Sequence, residues 1–200
     1  SLLLSLLPLA TASAQSDPTF AFEGVLPMVY ELYDPVPPEL FTPEGHVMND
    51  EEISASFDVR RGDPVTIIRG GEIVGEGEVK GIVALKRADA RDDEVVHLQV
   101  TGLPEGVTLP PPSPGRKVLE DENYTLVVVT DKPVEVLAPD PVFQGHRFMT
   151  QDYVVRVGRT RYAVLREADP RGDGHRGWSV NRLRSDGTTR LMADYTWWAR

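Results

Sequence analysis

Eleven arginines, and no lysine, supply every basic charge of residues 141–200. A guanidinium forks onto carboxylate or phosphate oxygens and stacks on aromatic faces. Tyr153, Tyr162, Trp178, Tyr195, Trp197 and Trp198 are interleaved with these arginines, a combination suited to an anionic or sugar-bearing ligand. Strand alternation over Gly177 to Arg184 places Trp178, Val180, Arg182 and Arg184 on one face. Trp178, Arg182, Arg184 and Trp197 are therefore the candidate ligand-binding residues. The competing expectation is that the arginines dock this segment onto an acidic partner region, since a mixed face of this kind is common at a lobe interface.

Asp169-Pro-Arg-Gly-Asp173-Gly174 resembles the Asp-rich calcium loops of EF-hands and β-propeller repeats, where oxygens at positions 1, 3 and 5 surround the ion and a glycine at 6 permits the turn. Asp169, Asp173 and Gly174 match. Arg171 stands at the third ligand position, and Gly177 stands where propeller loops commonly carry a further Asp. With two oxygens lost, a structural turn in which Arg171 bridges the two carboxylates is favoured over calcium. No cofactor is expected from the sequence, with calcium at Asp169 and Asp173 as the alternative.

Other chemistries find less support. His46, His97, His146 and His175 form no His-x-x-x-His or His-Glu-x-x-His pair. His97 sits in a strand among Val95, Val96 and Leu98, and His175 follows Asp173 in a polar loop where it could serve as a base. There is no Gly-x-Ser-x-Gly elbow and no cysteine nucleophile. Glu76 and Glu78 share one strand face about 7 Å apart, within reach of paired-carboxylate hydrolysis, but acidic alternation on an exposed face is far commoner. Gly70 to Gly77 is a hairpin pattern, not a phosphate-cradling loop. Two Arg-Gly-Asp tripeptides, at 61–63 and 171–173, reflect the turn preference of Gly-Asp. No motif names an activity.

The elements that would position these residues are short strands. Gly and Pro total 34 of 200 residues, which implies many turns. Thr19 to Tyr33 begins as a strand. Asp34 to Pro43 carries four prolines and must be an extended strap. Asn49 to Phe57 is the one short helix: Asn49 caps it, acids fill its first turn, and Ile53 and Phe57 share a face. Pro64 to Arg69 and Ile73 to Val79 form a hairpin through Gly70-Gly71-Glu72. Further strands follow at 82–86, 95–100, 124–130 and 134–137, with a Pro-rich loop at 103–115. Beyond a linker at 138–142, the patterns 153–157, 161–167, 177–184 and 189–197 predict a four-stranded antiparallel meander. The expected fold is mainly β: a barrel- or sandwich-like lobe over 15–140 and an Arg/aromatic-rich meander over 141–200 packed on it, because the roughly 50 residues of the meander bury too little core alone.

Charge follows the same division. Residues 1–140 carry 10 basic and 25 acidic side chains, a net of −15, while 141–200 carry 11 and six, a net of +5. The formal total of −10 argues against a surface built to coat nucleic acid. At the start, an apolar run through Leu9 leads to Ala12-Ser-Ala14-Gln15, the pattern of a signal h-region and peptidase site. With no Met and no basic residue before it, this marks residues 1–14 as a truncated signal peptide. No stretch approaches the roughly 20 apolar residues of a membrane helix, and the absence of cysteine excludes disulfides and lipoprotein acylation. The sequence thus points to an exported, periplasmic or secreted bacterial protein, monomeric or weakly associating and non-enzymatic, that binds an envelope polymer or another exported protein and no nucleic acid. A hydrolase of envelope polymers using scattered carboxylates, and an acidic proteinaceous inhibitor of a basic enzyme, are the alternatives.

Overall fold

The computed structural model describes residues 17–26, 46–51, 53, 57–86, 94–109, 123–141, 149–167 and 175–198. The signal-like segment, the Pro-rich strap and the Asp169 to Gly174 turn lie outside the described residues. The fold is mainly β, as the sequence predicts, and the described residues form eleven strands in two antiparallel sheets.

The first sheet contains β1 (Thr19–Phe22), β6 (Thr125–Val129), β3 (Pro64–Arg69), β4 (Glu72–Lys86), β5 (Glu94–Val100) and the two-residue β2 (His46–Val47). The β3–β4 hairpin turns at Gly70 and Gly71, with φ of 58° and 78°, the left-handed pair that a two-residue hairpin loop needs and glycine supplies. The two strands expected at 73–79 and 82–86 are one strand of 15 residues. β4 pairs with β3 through Glu78 and with β5 from Val79 onward, and this change of partner curls the sheet into a half-barrel. The seam is bridged where Leu26 N–H donates to Val96 O (2.9 Å) and Leu98 N–H to Gly24 O (2.7 Å). His97 is buried at this seam, its Nε2–H donating to Glu23 O at 3.0 Å, so it is a satisfied core histidine.

Two layers of apolar side chains result. Ile67, Ile82, Leu98 and Val127 fill the half-barrel, with Leu26, Met48 and Ile53. The predicted helix start is present in part: Asn49 Oδ1 accepts Glu51 N–H at 3.0 Å, and Ile53 N–H donates to Asn49 O at 3.0 Å. Asp50, Glu51 and Ile53 have helical backbone.

The second sheet is a meander in the order β11-β10-β9-β8-β7. β8 (Met149–Val157), β9 (Thr160–Glu167), β10 (His175–Leu183) and β11 (Thr189–Trp198) are the four predicted strands, and β7 (Val134–Leu137) adds a fifth by pairing with β8. The change of sheet falls between Val129 and Val134. A shared core joins the sheets: Phe20, Phe22, Ile68, Leu126 and Val128 meet Tyr153, Val155, Tyr162, Val164, Trp178 and Val180. Alternate residues of β6 therefore face the two cores, which is why Thr125–Val129 is buried throughout and reads as a continuous apolar run.

Candidate functional site

Successive turns of a meander alternate between its two ends, so the β8–β9 and β10–β11 turns emerge side by side. The first is Gly158-Arg159, with Gly158 at φ 58° and its N–H bonded to Pro133 O at 2.9 Å. The second runs from Arg184 to Thr188. Arg184 N–H donates to Thr188 O (2.9 Å), Gly187 at φ 81° donates to Arg184 O (3.1 Å), and Asp186 Oδ1 accepts the Thr188 N–H (2.9 Å) and hydroxyl (2.7 Å). Those Thr188 bonds, side chain first, hold the Asp186 carboxyl below its ordinary range.

Between the tips lies a groove of about 570 Å³ lined by Arg159, Thr160, Arg161, Arg182, Leu183, Arg184, Ser185 and Asp186. Register explains the convergence. Arg182 stands opposite Tyr162 on the face that carries the shared core, while Arg161 stands opposite Leu183 and Arg156 on the other face. The groove thus wraps over the end of β9 and β10 with guanidinium groups on both sides. Two have acid partners: Arg161 Nη1 lies 2.6 Å from Asp140 Oδ2, and Arg182 Nη1 3.2 Å from Asp17 Oδ1. Arg159 and Arg184 form no ion pair among the described residues. Four cations around an open groove attract anions, and the planar forks of arginine favour carboxylate or phosphate oxygens.

The candidates from sequence fare unequally. Arg182 and Arg184 come together in the groove. Trp178 does not join them; it is 1% exposed in the shared core, its ring edge-on to Tyr124 at 5.6 Å. The alternation that set Trp178 on a face with Arg182 holds, but that face is the one the half-barrel covers, so a ligand cannot reach the indole. The side chains of Trp197 and His175 fall outside the described residues, as do Asp169 and Asp173, the calcium candidates. Glu76 and Glu78 are exposed on β4. Among the described residues no group of three His, Asp or Glu side chains is placed to hold a metal ion, and no helix is long and apolar enough to cross a membrane. Arg159 and Arg161 were the members that sequence reasoning left out. Their signal was present, since Arg159 sits in a two-residue turn and Arg161 just after it, but strand pairing was needed to set that turn beside the next one.

A second polar cluster lies toward the other end of the sheet. Tyr124 Oη donates to Asp152 Oδ2 at 3.0 Å, and Arg166 Nη2 lies 3.1 Å from Asp152 Oδ1. Burial pushes the Tyr124 and Tyr153 phenols well above their ordinary value. This cluster ties Tyr124, just before β6, to β8 and β9 and fixes the sheets' relative placement.

No family model, curated protein or solved structure matches this chain.

Proposed function

We propose that the protein is an exported, non-enzymatic binding module that grips an anionic envelope polymer in the groove between the two hairpin tips. The observation that carries this reading is the convergence of Arg159, Arg161, Arg182 and Arg184 on one open groove in a chain whose net charge is −10. An acidic protein that gathers cations in one place concentrates its attraction for anions there. Arg159 and Arg184, on the turn tips, make the first contacts, and an elongated polymer fits an open groove better than a closed pocket would allow. The apolar run through Leu9 and the Ala12-Ser-Ala14 pattern support export to the periplasm or beyond the cell.

The test is titration with polygalacturonate, a carboxylate polymer, at low and at moderate salt. The wild-type chain is expected to bind, more weakly at the higher salt because exposed charges are screened. Arg159→Ala combined with Arg184→Ala should weaken binding about tenfold, since each exposed pair contributes up to about 1 kcal/mol. Arg156→Ala, which removes a guanidinium paired with Glu135 outside the groove, should leave it unchanged. Equal losses from the two sets, or no retention of the polymer at either salt, overturn the reading.

A further inference from the structure

Arg182 and Arg190 are direct cross-strand partners on β10 and β11, a placement in which two like charges repel. An anion lies between them. Asp17, two residues before β1, divides its carboxylate between the pair: Oδ1 is 3.2 Å from Arg182 Nη1, and Oδ2 is 3.6 Å from Arg190 Nη1. Tyr162 lies beside this contact as the other cross-strand partner of Arg182. It is 1% exposed, and burial first, then the Asp17 carboxylate, hold its phenol above the ordinary value, so it stays a neutral polar wall. The contact is open to solvent: the Asp17 side chain is 38% exposed and that of Arg190 57%. Ion pairs of this exposure are weak and readily exchanged.

We propose that Arg182 and Arg190 form a carboxylate-binding subsite continuous with the groove, that Asp17 fills it in the unliganded protein, and that a carboxylate of the bound polymer takes its place. This rests on the groove being the polymer site, and it names the polymer's chemistry as carboxylate-bearing. Arg182 is shared: it lines the groove and carries one half of the fork, so a polymer lying across Arg159 and Arg184 reaches the subsite by extending one unit toward β11. The two guanidiniums face different oxygens of the Asp17 carboxylate, Arg182 by a hydrogen bond and Arg190 at ion-pair distance, so a ligand carboxylate can take the same place between them.

The experiment compares polygalacturonate affinity for the wild-type chain, Asp17→Asn, Asp17→Glu, and Asp17→Asn combined with Arg190→Gln, with neutral dextran as the blank and thermal melting to establish that each variant is folded. Removing the tethered competitor should tighten binding about threefold to tenfold in Asp17→Asn. Asp17→Glu should bind like wild type, and adding Arg190→Gln should cancel the gain. If the wild-type chain binds and Asp17→Asn binds no better, the subsite is refuted while the groove stands. If neither wild type nor Asp17→Asn binds, both are refuted. Tightening that survives Arg190→Gln also overturns the assignment, because the gain would then come from removing negative charge in general.

Discussion

Trp178 shows how a single residue can satisfy a sequence pattern for a different reason. An indole among arginines on a strand suits sugar stacking, yet the same alternation also serves a sheet face covered by another sheet, and here the cover is β1, β3 and β6. Trp178→Ala should therefore cost about 3–5 kcal/mol in urea unfolding. Trp178→Phe should cost far less, because the indole N–H has no hydrogen-bond partner to lose among the described residues. Trp178→Phe should also leave polygalacturonate affinity unaltered. Titration behaviour is set at the same scale. Tyr124, Tyr153 and Tyr162 all have folded pKa values raised above the ordinary value of 10.0. Their contribution to stability is complete below the unfolded value and is lost as pH rises past it. Phenolate absorbance followed with pH should show Tyr124 and Tyr153 ionising only together with unfolding. Asp186 has the opposite sign: its folded pKa is lowered, so its turn is supported above the unfolded carboxyl value and loses that support as pH falls through the folded one. Thr188→Ala should move the Asp186 titration, followed by carboxyl NMR, upward toward the ordinary range.

Strands and turns differ in how openly the sequence announces them. Gly70-Gly71 between two apolar runs is a local signal, and the hairpin is where it predicts. β4 is harder to read: Lys80-Gly81 looks like a break between two strands, yet one strand runs through it as it does through Gly75 and Gly77. Two of those glycines are there for a crossing chain. A Cβ on Gly77 would lie 2.1 Å from Thr101 O, and one on Gly75 2.2 Å from Gly102 O, so the segment after β5 passes directly over the strand. No window of sequence contains that contact, because its halves are more than 20 residues apart. Gly77→Ala should destabilise by about 1–3 kcal/mol through forced displacement of backbone, read as a lower urea midpoint.

At the scale of the whole molecule, the charge divides along the sequence into −15 and +5, and the meander strands are evident from their turns. Unreadable from sequence was which arginines are neighbours. Arg159 and Arg161 lie more than 20 residues before Arg182 and Arg184, and only the pairing of β9 with β10 unites them. The partners Asp17 and Asp140 come from outside the meander strands, so charge balance at the groove depends on the assembled fold. Arg182 and Arg190 reach Asp17, just before β1 of the first sheet, while Arg161 pairs with Asp140 just after β7 of its own sheet, and the groove is formed by what these pairs leave open. Its proposed role as the anion site is tested most directly by Nε-selective NMR of the arginine side chains during titration with polygalacturonate. The expected result is that Arg159, Arg161, Arg182 and Arg184 shift together and saturate at one affinity while Arg156 and Arg61 stay in place. Shifts spread evenly over all arginines, or confined to those outside the groove, would contradict it.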